Sequence, residues 1–431
     1  MWKMWKIKFS RRLRYRNLSR LLKMARNFTK AEKPQSSVFF IALVFVLFQT
    51  SSWAQVSATP LMVDSVQYSF LNTPFAHLKP TIAQMLRVDS LVFFLTAEKG
   101  ELYVLDLKTG SIKPFIQNEL EKEVAPIMLF DVSKSGVYTI QRNMRLITEY
   151  DLQGRRINSV KINAMWPKVW LSGRINFAYN ERRNSFFLSI EQSSPELKLV
   201  KQQEKAKAYF DRQDLIAEVN RKGKIIHSFG FFDQLYQQQF YFHSKTNYFA
   251  VDESGQVLYT QHLSHAIFRY DTDNQTTHTL YLPGKFINIT QAEVPVTNAP
   301  YLNTEDYNSH SIASYQYFHM KLLNATNLCY RIYRQAAVDS TLYRSYETVT
   351  IVENSKECVA PTTRKLEQME ILKNKQNYVQ LIDYKANKVI YDGPFPFRGK
   401  FFLPSKYADP ALFYTQEVGP EAFTIYTYKL N

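Results

Sequence analysis

The sequence predicts an all-β fold: a β-propeller of six blades, each made of four antiparallel strands. Three observations predict it. A hairpin phrase built on Asp or Asn, a short spacer and Gly or Asn recurs along the chain. A turn followed by a short aromatic strand precedes most copies. Aromatic residues make up 15% of the chain, with 28 Tyr and 31 Phe; these residue types favour strands and fill the space between sheets.

The hairpin phrase is clearest in YDLQGRRINSV, residues 150–160. Apolar residues alternate on both sides of the turn, as two paired half-buried strands require. Asp151 occupies the first turn position, where its carboxylate accepts backbone N–H groups two residues on, and Gly154 supplies the positive φ at the turn's end. Asp106 with Gly110, Asn220 with Gly223, Asp271 with Asn274 and Asp383 with Asn387 repeat that chemistry. The preceding element reads DVSKSGVYTI before Asp151, VDESGQVLYTQ before Asp271, VDSLVFFLTA before Asp106 and YNERRNSFFLSI before Asn220. Each unit therefore reads strand, turn, strand, connection, strand, turn, strand, the pattern of a propeller blade. One such sheet cannot bury both of its faces alone. A ring of them can, and it leaves only short edges exposed.

Five hairpins and the C-terminal strands LFYTQ and FTIYTYKLN give six blades. The early segment DSVQYSFLN, residues 64–72, is expected to close the ring by adding its strand to the last blade. The segment TVTIVENSKECV offers another hairpin near Glu353, only 30 residues before Asp383. It reads as an insertion within the fifth blade, with a seven-bladed ring as the alternative. Insertions are placed near residues 193–214, 288–315 and 336–377; long connections of this kind often carry function and as often are tolerated.

The first 54 residues form a separate region. They hold 12 Lys or Arg and one acid, Glu32. The remainder carries 42 basic and 37 acidic residues, a net charge of +5 against +16 for the whole. The basic pI thus belongs to the leader and does not argue for a nucleic-acid partner. The apolar run VFFIALVFVLF, residues 38–48, makes about 16 Å of helix, short of a bilayer span. Ser52 and Ala54 follow as a small-x-small pair, so the leader reads as a secretory signal peptide cleaved after Ala54. The start is expected at Met1 or Met24, and a conventional leader follows from the second. After cleavage, 377 residues form one propeller domain, 55–431, with no membrane span. In an exported chain, Cys329 and Cys358 are candidates for a disulfide.

The chain resembles a family of exported bacterial six-bladed propellers of unknown function, from gram-negative species, and more loosely the NHL-type propellers. ELYVLDLKTGSI in the first blade, YFHMKLLNATNLCYRIYRQ before the fifth and the ending ALFYTQEVGPEAFTIYTYKLN carry the resemblance. It implies a periplasmic or extracellular protein. Many members are lipoproteins, but no Cys follows the apolar run here. The family brings no established catalytic residues.

Chemistry-bearing motifs are few. There is no G-x-S-x-G, no Gly-rich phosphate loop and no H-E-x-x-H. His262 and His265 are three apart in a strand-and-connection context, which does not put them on one face. DTDN at 271–274 lacks the Gly and the closing Glu of a calcium loop. Two low-specificity constellations remain. Asp89, Asp131, Asn180 and Asp252 occupy matching positions after the first strand of their blades. If they point to the axis they could bring oxygens to a calcium ion, as in propeller lactonases and phosphotriesterases; otherwise each caps a tight turn. The segment FFDQLYQQQFYFHSK offers Tyr236, Phe240, Tyr241 and His243 as a stacking surface for a sugar or peptide, against the alternative of packing between blades.

Two functions are expected from this. The first is a noncatalytic exported propeller that binds a protein, peptide or glycan and needs no cofactor. The second is a calcium-dependent hydrolase or lactonase with an axial metal.

Overall fold

A computed structural model of the chain describes residues 61–69, 82–97, 99–116, 126–141, 146–162, 169–171, 176–192, 214–237, 241–242, 247–287, 296–297, 315–323, 327–335, 376–399, 401–407, 409, 412–419 and 422–429. The leader, Glu353 and nearly all of the three expected insertions lie outside these residues.

The described residues form six four-stranded antiparallel sheets arranged as a propeller. Blade 1 runs from Ile82–Val88 through Leu91–Thr96 and Leu102–Asp106 to Ile112–Pro114. Blade 2 spans Ile127–Val132 to Arg156–Lys161, blade 3 Phe177–Asn180 to Ile225–Phe229, and blade 4 Asn247–Val251 to Thr276–Tyr281. Blade 5 spans Gln316–Leu322 to Lys388–Pro394. Blade 6 takes Phe401–Leu403, Leu412–Val418 and Ala422–Lys429 from the end of the chain, and its fourth strand, Leu61–Ser69, from the beginning. That strand pairs antiparallel along Ala422–Lys429, from Leu61 opposite Lys429 to Ser69 opposite Ala422, and closes the ring as the sequence predicts. Between blades 6 and 1, Ser405–Lys406 runs parallel to the inner strand Ile82–Val88.

The hairpins form where the repeated phrase places them. Asp151 Oδ1 accepts N–H bonds from Gln153 at 3.0 Å and Arg155 at 2.8 Å, and Gly154 takes φ +82°. Asn220 does the same for Lys222 and Lys224, with Gly223 at φ +77°. At Asp271 the left-handed residue is Gln275, φ +54°, where Asn274 was expected. Asn274 instead donates its side-chain amide to Asp271 Oδ2 at 2.9 Å, so the turn runs one residue further before reversing.

The core is laid down in slabs between neighbouring blades. Adjacent residues on a strand point to opposite faces, and here both faces are covered. Phe93 packs with Phe130 and Val137 toward blade 2, while Phe94 packs with Tyr414 and Phe423 toward blade 6. Phe186 joins Tyr138 and Tyr179 against blade 2, and Phe187 joins Phe249 and Tyr259 against blade 4. Doublets such as VFFL and SFFL are therefore the signature of a sheet buried on both faces, each ring contributing about 1.5–3 kcal/mol by burial.

Candidate functional site

The inner strands of blades 1 to 5 and the link between blades 6 and 1 surround an axial cavity of about 300 Å³. Five blades and a link contribute to its wall: Met85 from blade 1, Asp131 from blade 2, Asn180 from blade 3, Asp252 from blade 4, Lys321 from blade 5 and Lys406 from the link between blades 6 and 1. Three of the four oxygen-bearing residues expected at the axis thus converge there. Asp89 does not; it is an exposed turn residue with φ +48°.

Most polar groups of the wall are committed to joining blades. Gln84 of blade 1 exchanges two hydrogen bonds with the Phe130 backbone of blade 2. Asp131 of blade 2 accepts the Tyr179 N–H of blade 3 at 2.7 Å and the Val132 N–H at 2.9 Å. Lys406 Nζ reaches both oxygens of Asp131 at 2.7 Å and the Val132 carbonyl at 3.1 Å. Asn180 Nδ2 donates to the Asp252 carbonyl of blade 4 at 2.7 Å, and the Tyr384 hydroxyl of blade 5 donates to Asp252 Oδ2 at 3.2 Å. The Ser405 N–H donates to the Leu323 carbonyl after the inner strand of blade 5, and the Arg87 N–H of blade 1 to the Pro404 carbonyl. These bonds form a closed circuit around the axis.

The donor set does not fit a calcium ion, which takes six to eight oxygens. Asp131 is neutralised by Lys406. Asn180 Oδ1 accepts the Arg183 N–H, and Asp252 Oδ1 accepts Ser254 Oγ and the Gln256 N–H. Two ammonium groups share the cavity. Among the described residues, no group of three or more His, Cys, Asp or Glu is placed to hold a metal.

Lys321 and Ser405 are among the wall groups that stand outside the circuit. Lys321 has no hydrogen bond or ion pair among the described residues. Burial pushes its amine below the ordinary lysine range, and the charge of Asp131, on the opposite blade, works the other way. Ser405 is buried, and its hydroxyl has no hydrogen-bond partner among the described residues. Its backbone N–H bonds Leu323, two residues from Lys321.

The expected stacking surface is only partly described. Tyr236 is fully buried among Phe187, Phe249 and Tyr259, and its hydroxyl accepts the Leu263 N–H at 2.9 Å. It packs between blades and offers no face to a ligand. Tyr241 pairs through its backbone with Thr297; Phe240 and His243 lie outside the described residues. Cys329 is a buried thiol between blades 4 and 5, raised to about 12 by burial. Cys358 lies outside the described residues, and the disulfide expectation with it.

A second polar cluster, which sequence reasoning missed, sits between blades 4 and 5. The Arg331 guanidinium is fully buried; it donates to Gln380 Oε1 at 2.7 Å, to the His265 carbonyl at 3.2 Å and to the Leu282 carbonyl, and stacks 3.9 Å from the Tyr317 ring. Burial, reinforced by that cation, lowers the His265 imidazole to about 4.

Among solved structures, a DUF4221 family member from Bacteroides vulgatus aligns over 86% of this chain and 98% of its own, at 11% identity and a TM-score of 0.54. The likeness shows the fold, a six-bladed propeller. A protein assigned as exported, from Bacteroides fragilis, aligns over 86% of this chain and 95% of its own at 10% identity and a TM-score of 0.49. A streptogramin B lyase aligns over 85% and 98% at 9% identity and 0.39. At such identities the likeness speaks to architecture alone. No family model and no curated protein matches the chain. Among the described residues, no helix is long and apolar enough to cross a membrane.

Lys321, Ser405 and Lys406 carry no motif. The visible trace of Lys321 is a charged residue inside the apolar strand QYFHMKL. There His319 takes φ +56° and the register with the next strand shifts between Phe318 and Lys321. A bulge of this kind re-aims the side chains that follow it.

Proposed function

We propose that the protein is an exported, noncatalytic binding or scaffold module that receives a protein, peptide or glycan ligand in its axial funnel. One observation carries the reading: five blades and the link between blades 6 and 1 wall a single cavity, and the hydrogen-bond circuit ties that wall together. A preformed concave site with few convergent polar groups is what ligand recognition calls for. Of the described wall residues, Asp131 and Asp252 are held by backbone N–H groups, Lys406 and Tyr384. Export rests on the leader, and N-terminal sequencing of the mature protein is expected to begin at Gln55.

The test is a glycan and peptide array probed with the purified protein and with Ala178→Trp, which fills the funnel from blade 3. Binding by the first and loss in the second is expected. Binding untouched by the plug, or hydrolysis of esters or lactones at enzyme-like rates, overturns the reading.

A further inference from the structure

We infer that the outer rim of blades 2 and 3 docks on an anionic membrane surface, with Ile157 and Ile226 as apolar anchors among basic side chains. The docking face lies on the outermost strands, away from the funnel, and does not depend on what the funnel binds.

Three observations carry it. First, charge is concentrated there. Residues 151–161 and 220–229, the outer turn and strand of these two blades, hold six Lys or Arg and one acid, Asp151, a net of +5. That equals the net charge of everything after residue 54, so the rest of that region sums to zero. The matching segments carry +1 in blade 1 (106–114), −2 in blade 4 (271–281) and 0 in blade 5 (383–394). Arg155 is tied to Asp151 and Arg221 to Glu149. Arg156, Lys161, Lys222 and Lys224 are exposed and have no ion pair among the described residues. Second, the two blades make one patch. Gly223, between Lys222 and Lys224, sits so close to the Lys161 carbonyl that a Cβ there would stand 2.0 Å from it. Like charges gathered this way repel one another and attract an anionic partner. Third, a bulge in each outer strand leaves one residue without a cross-strand partner, and both times it is isoleucine. Ile157 lies between Arg156, opposite Tyr150, and Asn158, opposite Glu149. Ile226 lies between Ile225, opposite Val219, and His227, opposite Glu218. They are 57% and 51% exposed. Bulges and charges also guard a sheet edge against pairing, but a guard needs no large apolar side chain at its tip. A bulge on blade 6 exposes Val63 as well, on a strand that holds an acid, Asp64, and no Lys or Arg. Protein interfaces gather their apolar residues into one packed core. Here the two isoleucines stand on different blades with lysines between them, which suits separate insertion among lipid headgroups while the ammonium groups meet the phosphates.

The experiment is cosedimentation of the exported protein, with the same N-terminus in every variant, with vesicles of phosphatidylcholine alone and of phosphatidylcholine mixed with phosphatidylglycerol. Binding to the mixed vesicles and not to the neutral ones is expected. It is expected to fall between about 0.1 M and about 1 M salt, as the Debye length shrinks from about 10 Å to about 3 Å. Lys222→Glu combined with Lys224→Glu is expected to weaken binding about tenfold or more. Ile157→Ser and Ile226→Ser are expected to weaken it about threefold each. All four positions are exposed, so these variants are expected to melt with the parent. The control is Lys385→Glu combined with Lys388→Glu, which makes the same charge change on the outer turn of blade 5 and is expected to leave binding within about twofold of the parent. The proposal is overturned if the mixed vesicles do not bind, or if the blade 5 pair weakens binding as much as the blade 3 pair. It is also overturned if the isoleucine variants bind as the parent does while polyglutamate displaces the vesicles, which would make the patch a site for a soluble acidic partner. Ala178→Trp is expected to leave vesicle binding unchanged; loss of vesicle binding in that variant would place the contact at the funnel and overturn the rim.

Discussion

Replacing Asp131 by Ala is expected to loosen the ring at the place where three segments meet. The carboxylate holds the Tyr179 N–H of the next blade, its neighbour's Val132 N–H and the Lys406 ammonium. Each of the two N–H groups left without its acceptor costs about 1 kcal/mol, as a net hydrogen bond does. Lys406 is 25% exposed along its side chain, so water can recover part of its solvation, and its lost partner adds about 1 kcal/mol more. The expected loss is about 3 kcal/mol. Asp131→Asn keeps one acceptor oxygen and is expected to lose about half of that. Urea unfolding followed by tyrosine fluorescence measures both, and a cycle of Asp131→Asn with Lys406→Met is expected to return a coupling of about 1 kcal/mol. A loss below about 0.5 kcal/mol for Asp131→Ala, within the range of an ordinary surface change, would show that the axial bonds do not hold the blades together. A parent protein that EDTA destabilises and calcium restores, beside an Asp131→Ala variant indifferent to both, would show that the carboxylate serves a metal instead.

Other perturbations test the same architecture elsewhere. Arg331→Met strands the acceptors at Gln380, His265 and Leu282, and is expected to cost about 3 kcal/mol in urea unfolding. Gly154→Ala would put a Cβ 1.9 Å from the Phe115 carbonyl of blade 1 at φ +82°, whereas a Cβ on Gly110, φ +71°, meets only Tyr68 at 3.9 Å. Gly110→Ala is expected to cost about 1 kcal/mol and Gly154→Ala about 3 kcal/mol or more, read by the same assay. Acid is expected to destabilise the protein in two stages. The folded His265 pKa, about 4, lies below the ordinary 6.5, so its contribution is full above pH 6.5 and is lost as pH falls toward 4. Backbone N–H groups hold Asp106, Asp151 and Asp271 below the usual carboxylate range, chiefly those of Lys108, Arg155 and Asn274. Their contribution is present above the unfolded carboxylate pKa of about 4 and lost below it. Unfolding free energy measured from pH 8 to pH 3 is expected to decline less between pH 6.5 and 4 in His265→Gln, and less below pH 4 in Asp151→Asn.

What could be read in the sequence follows from the range of each interaction. A hairpin is decided by four or five consecutive residues, so the turns at Asp106, Asp151, Asn220 and Asp383 were legible, and with them the blade number and order. Closure by the early segment was legible too, expected at 64–72 and found at Leu61–Ser69, since a sixth blade short of one strand must find it at the other end of the chain. The turn at Asp271 slipped by one residue because DTDNQTT offers two adjacent positions for the left-handed residue, and Asn274 and Gln275 carry similar amide side chains. The axis was legible only in part. Asp131, Asn180 and Asp252 could be placed there by their shared position after an inner strand, but their partners could not. Lys406 lies 275 residues from Asp131 and Tyr384 lies 132 from Asp252, and neither distance leaves a local pattern. Asp131 shows the consequence most clearly. Read alone, a carboxylate at a propeller's axis suggests a metal ligand. Read with Lys406 across it, the same carboxylate is a strut that ties blade 2 to blade 3 and to the link between blades 6 and 1.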